Sequence, residues 1–89
     1  MLETQLEITN KLGLHARAAA KVVAIASRYN ARIRVQQGEQ AVDAKSIMGL
    51  LTLGAARGSQ LAITVDGEDE DEALAALTEL FQRNFDEED

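Results

Sequence analysis

The sequence predicts an α+β fold: a two-layer, open-faced sandwich in which three helices cover one face of a mostly antiparallel four-stranded sheet. Three observations carry that prediction. Short stretches alternate apolar and polar residues, longer ones place apolar residues at helical spacing, and the two kinds interleave in the order β-α-β-β-α-β-α. With 89 residues, 46% of them hydrophobic, the chain suits one core spanning 1–89 and is too apolar for a disordered polymer.

Residues Leu2 to Ile8 set Leu2, Thr4, Leu6 and Ile8 on one side and Glu3, Gln5 and Glu7 on the other. That is a strand with one solvated face, as antiparallel sheets allow. The polar, glycine-containing run from Thr9 to Leu14 turns the chain. From Ala16 to about Tyr29 the sequence is rich in alanine, with Ala19, Val22, Val23 and Ala26 on one stripe and Arg17, Lys21 and Arg28 on another. This is an amphipathic helix, stopped at Asn30. Arg32 to Gln36 alternates again with Ile33 and Val35 inward, Gln37-Gly38-Glu39 reads as a hairpin turn, and Gln40 to Asp43 as the return strand.

Ser46 is placed to cap a short apolar helix, Ile47 to Leu53, with Gly54 past its end. Leu61, Ile63 and Val65 alternate with Ala62 and Thr64 in the last strand. Asp69 to Glu72 starts the final helix, where acids complement the positive end of the helix dipole. Its core face is Ala73, Leu74, Leu77, Leu80 and Phe81. Residues 86–89 are expected to fray as an acidic tail.

Charge is divided unevenly. Residues 1–65 carry eight of the nine basic side chains and only four acids; residues 66–89 carry Arg83 against eleven acids. An overall charge of −6, with one Tyr, two Phe and no Trp, argues against a nucleic-acid partner, which favours a basic surface and stacking aromatics. The absence of cysteine rules out disulfides and thiolate metal sites, and a single histidine rules out a two-histidine metal site. No metal or cofactor is expected. No apolar run approaches the ~20 residues of a membrane helix, and the first residues lack a signal-peptide pattern, so a cytoplasmic address without membrane association is expected.

His15 is the one residue in an unusual place. Helix starts favour a short side-chain oxygen that accepts an orphan backbone N–H, yet here a histidine precedes the helix. The free N–H groups of a helix N-terminus form an anion site, and Arg17 adds a planar fork of donors. The same field disfavours imidazolium and keeps the ring neutral and nucleophilic. Small side chains at Ala16, Ala18, Ala19 and Ala20 leave the ring reachable by another protein. A nucleophile beside an anion pocket, with no second acid, base or metal, is suited to transient phosphoryl capture, in which the protein positions the group and stabilises charge.

Gly13-Leu14-His15-Ala16-Arg17 with the helix behind it, and Lys45-Ser46-Ile47-Met48-Gly49-Leu50 followed by Leu53-Gly54 and Arg57-Gly58, closely resemble the HPr family. Its members are histidine phosphocarriers of the bacterial phosphoenolpyruvate-dependent phosphotransferase system. The resemblance covers essentially the whole chain. It implies that enzyme I phosphorylates His15 at Nδ1 and that an enzyme IIA protein receives the group, making the chain a stoichiometric carrier rather than an enzyme. Arg17 matches the family's phosphate-contacting arginine, with the backbone of Ala16 and Arg17 as further donors. Asn10-Lys11-Leu12-Gly13 and Phe85-Asp86-Glu87-Glu88-Asp89 look like the nitrogen-related branch, whereas Lys45 to Leu50 looks like the sugar-transport branch. The family usually has proline after the arginine. Ala18 stands there instead and restores a backbone donor in the first helical turn, expected to meet water or the phosphoryl group.

Ser46 has two readings, as helix cap and as the match to a serine that a kinase phosphorylates in part of the family. Phosphate there would add nearly two negative charges beside the partner-facing surface. Leu50 and Leu53 can fill the buried side of the short helix, and the resemblance puts Ile47, Met48 and Leu51 at a docking surface. With Arg17, Lys21 and Lys45 as a basic rim, that surface suits brief contact with acidic partners, and a monomer is expected. The alternative is a ferredoxin-like regulatory domain that binds a small ligand, since it shares the β-α-β-β-α-β order.

Overall fold

The computed structural model describes residues 1–87. Its strands are β1 (Leu2–Glu7), β2 (Arg32–Gln37), β3 (Gln40–Asp43) and β4 (Gln60–Asp66); its helices are α1 (Ala16–Ala26), α2 (Ile47–Thr52) and α3 (Glu70–Gln82). A 3₁₀ turn, Asn84–Asp86, follows α3. The strands lie in the order β1-β4-β2-β3, and every neighbouring pair is antiparallel. Strand β4 is therefore central: Val65 faces Leu2 on one side and Ile33 on the other, and Ile63 faces Thr4 and Val35. Because β1 and β2 each run antiparallel to β4, they are parallel to one another across it, so β1-α1-β2 is a split βαβ unit of the kind the ferredoxin-like alternative also contains.

Alternation in the sequence becomes the two faces of the sheet. Ile33, Val35, Leu61, Ile63 and Val65 are buried, while Glu3, Gln5, Glu7, Arg32, Arg34 and Gln36 face solvent. Against the apolar face lie Ala18, Ala19, Val22 and Ala26 of α1, Leu50 of α2, and Ala73, Leu77, Leu80 and Phe81 of α3. Leu74, expected in the core, is half-buried and packs against its edge, as does Val23.

Helix α1 ends at Ala26, three residues before Tyr29, its expected last residue. Arg28 and Tyr29 donate to the carbonyls of Ile25 and Ala26, which tightens the last turn. The next two amides, Asn30 N–H and Ala31 N–H, go to the Asp69 carboxylate at 2.8 and 2.9 Å. Asp69 thus ties the start of α3 to the α1–β2 connection and makes no side-chain cap bond to its own helix. The cap-like work falls to Glu70, whose carboxylate accepts from Gly67 N–H at 3.1 Å. That bond, followed by one from the Met1 ammonium, holds the Glu70 carboxyl below its usual range.

The expectation of fraying fails at Asp86 and Glu87. Phe85 is buried and meets Phe81 edge-on, ring centroids 4.8 Å apart, which anchors the segment after α3. Asn84, Phe85 and Asp86 all take left-handed φ values of 55, 56 and 62°, and the chain folds back toward the start of α1. Asp86 then accepts from Arg83 Nε at 2.8 Å and from Lys21 Nζ at 3.1 Å, both of which hold its carboxyl below the ordinary range. The other two residues of the expected tail, 88 and 89, lie outside the described residues.

Candidate functional site

His15 is the N-cap of α1, with extended backbone at φ −83° and ψ −178°. Its ring does the capping: Nδ1 accepts from the Arg17 backbone N–H at 3.3 Å. An imidazole nitrogen thus replaces the usual oxygen, which explains how histidine occupies this position. Because Nδ1 accepts, the ring proton of the neutral form is on Nε2. Nε2–H donates to Glu87 Oε1.

The loop beneath the ring is fixed from two sides. Gly13 takes φ +70° and lies so close to the opposite loop that a Cβ there would come within 2.5 Å of the Ala55 carbonyl oxygen. Leu14 N–H donates to that same oxygen at 2.8 Å. Beside it Asn10, fully buried, donates through Nδ2 to the Gly13 carbonyl at 2.8 Å and to Glu87 Oε2 at 2.9 Å. Both partners are acceptors, so the amide must turn its NH₂ toward them; its oxygen is left buried without a partner among the described residues. The Asn10 bond, and after it the His15 bond, hold the Glu87 carboxyl below the usual range.

Leu12, His15, Ala16, Arg17, Lys21, Asp86 and Glu87 line one cleft at this end of α1. Arg17 is exposed at its rim and Lys21 is half-buried in a pair with Asp86. The cleft therefore joins a nucleophilic nitrogen, helix N-terminal amides and two cations in a reachable place. Such a set can receive an anion and bond to it covalently.

A family model described as the PTS HPr component phosphorylation site matches residues 2–83. The chain belongs to this HPr family of phosphotransferase-system phosphocarriers. It is 52% identical to the phosphocarrier protein HPr of Pseudomonas aeruginosa over 93% of each chain. It is 45% identical to the phosphocarrier protein NPr of Shewanella violacea, covering 97% of this chain and 94% of that one. The crystal structure of HPr-C-His from Thermoanaerobacter tengcongensis matches with a TM-score of 0.95 and 44% identity, covering 99% of both chains.

The remaining expected positions of this HPr-family chain separate into placed and displaced. Ser46 caps α2, its Oγ accepting from Gly49 N–H at 3.1 Å. Ile47 and Met48 are exposed at 39% and 68%, an apolar pair facing solvent, while Leu50 is buried. Leu51 is half-buried and packs against the core, so it offers an edge rather than a face. Lys45 does not extend as a rim cation: its Nζ donates to the Tyr29 carbonyl at 2.8 Å, in the turn that follows α1. Sequence reasoning missed Leu12, 68% exposed at the cleft, and the pair Asn10 and Glu87. For Leu12 a signal existed, a large apolar residue in a polar turn. Among the described residues no helix is long and apolar enough to cross a membrane.

Proposed function

We propose that His15 accepts a phosphoryl group on Nδ1 from an enzyme I-type donor charged by phosphoenolpyruvate, and hands it to an enzyme IIA-type acceptor. The observation that carries this reading is the orientation of the ring. Nδ1 is unprotonated, points to the first amides of α1 and opens on the cleft. The backbone N–H groups of Ala16 and Arg17 and the Arg17 guanidinium hold the phosphoryl oxygens. On this reading the chain acts as a stoichiometric carrier in a sugar or nitrogen-related system, as a cytoplasmic monomer.

Partners dock on Ile47 and Met48, with Leu51 as the inner edge of the patch and Lys21 at the rim; Lys45 belongs to that surface through its stem. Contact must be brief for a relay to turn over. Modification of Ser46 by a kinase would place phosphate beside that patch and repel acidic partners.

The test is incubation with phosphoenolpyruvate, magnesium and enzyme I, using sugar-type and nitrogen-type donors in parallel, followed by intact mass. A gain of one acid-labile phosphate is expected, lost in His15→Ala, and the faster donor assigns the branch. No phosphate from either donor would overturn the carrier reading for this residue.

A further inference from the structure

The reading above uses one ring nitrogen of His15, and the other meets a carboxylate. We propose that Glu87 is a positioning residue for phosphoryl transfer: its carboxylate accepts Nε2–H, fixes the ring with its lone pair on Nδ1, and balances the charge that the ring acquires when Nδ1 takes the phosphoryl group. This rests on His15 being the acceptor.

Three observations converge on it. The two nitrogens have different partners, a backbone donor at Nδ1 and an acceptor at Nε2, so the surroundings of the ring specify one tautomer. The carboxylate is held in turn, since the Glu87 side chain is only 10% exposed and its second oxygen is bonded to Asn10. Asn10 also grips the Gly13 carbonyl, so carboxylate and imidazole are referenced to the same loop. Finally, the chain reaches this place through three successive non-glycine residues with left-handed φ, a conformation that L-residues avoid and that persists only when the surroundings impose it. Phe85 against Phe81, and Asp86 against Lys21 and Arg83, impose it here. Strain kept at a site is a reason to look for its use.

The chemistry supplies one. In the transfer step the Nδ1 lone pair forms the bond to phosphorus, while the bond from phosphorus to the donor breaks and the donor leaves with that electron pair. The ring loses no proton. It keeps hydrogen on Nε2 and becomes a phosphorylated imidazolium, with positive charge shared between both nitrogens. A carboxylate against Nε2–H gains strength as that charge develops, so its effect is larger in the transition state than before it. The reverse step, donation to the acceptor, returns the ring to the same neutral tautomer. Arg17 and Lys21 line the same cleft as the ring, and Asp86 is occupied by Lys21 and Arg83, so among the described residues Glu87 is the carboxylate bonded to the ring.

The experiment compares the full chain with Glu87→Gln, which keeps shape and loses charge, and with Glu87→Ala. Ring ¹⁵N–¹H spectra of the unphosphorylated proteins are recorded first, then initial rates of phosphorylation by a charged enzyme I. The parent should show the proton on Nε2, with a downfield, slowly exchanging ring N–H that both variants lose. The rate at saturating donor should fall on the order of 10-fold, the effect of one charge-assisted hydrogen bond, with half-saturation unchanged. A parent ring protonated on Nδ1 overturns the proposal. So does a Glu87→Gln protein with the parent's ring spectrum, or with the parent's rate. Failure of the acceptor assignment looks different: the parent itself gains no phosphate.

Discussion

Gly13 places the loop that carries His15 by lacking a side chain. Replacement by alanine puts a Cβ against the Ala55 carbonyl oxygen and holds an L-residue at φ +70°. The two effects together should destabilise the fold by at least ~2 kcal/mol, read as a lower urea midpoint at unchanged slope, with slower phosphorylation because the ring shifts with the loop. His15 and Arg17 were legible in the sequence for a local reason: a histidine where an oxygen-bearing cap belongs is odd within a five-residue window. Asn10 and Glu87 were not legible. Both are ordinary polar residues whose meaning comes from each other, 77 positions apart, and no local pattern reports a contact of that span. The same blindness made Lys45 look like a free rim cation, since its partner is the Tyr29 carbonyl, a backbone atom.

Among the elements, α2 depends most on its cap. It has six residues, a length at which helix formation in isolation is unfavourable, and Ser46 Oγ supplies one of its few terminal acceptors. Ser46→Ala should lower stability by about 1 kcal/mol in denaturant unfolding while leaving phosphorylation of His15 in place. Period and punctuation revealed the strands and helices well, because Ile33, Val35, Leu61, Ile63 and Val65 report a face by simple alternation and Gly38 and Ser46 mark boundaries. They failed where a tertiary partner set the boundary. Helix α1 stops early, its following amides taken by Asp69 from α3, and the turn at Asn84–Asp86 contains no glycine to announce its left-handed backbone.

At the scale of the whole molecule, three carboxyls among the described residues are held below their ordinary values: Glu70 mainly by the Gly67 amide, Asp86 mainly by Arg83, and Glu87 mainly by Asn10. Each binds a proton less readily in the folded than in the unfolded chain. Their contribution is therefore complete above the ordinary glutamate value of 4.5 and declines as pH falls below it. Thermal unfolding followed from neutral pH downward should show Tm dropping below about pH 4.5, and Asp86→Asn with Glu87→Gln should flatten that drop. Order in the sheet was not readable from the sequence, because alternation says which face a strand shows and nothing about its neighbours.

The ring of His15 meets a carboxylate 72 positions further along the chain. A protein is made from its N-terminal end, and here His15 precedes the carboxylate that faces it by those 72 positions. Strand β4, which joins β1 to β2, is also made after both of its neighbours. A nascent chain thus carries the histidine without that carboxylate until Glu87 is added. On the positioning role proposed for Glu87, a chain that stops short of it cannot present the oriented ring.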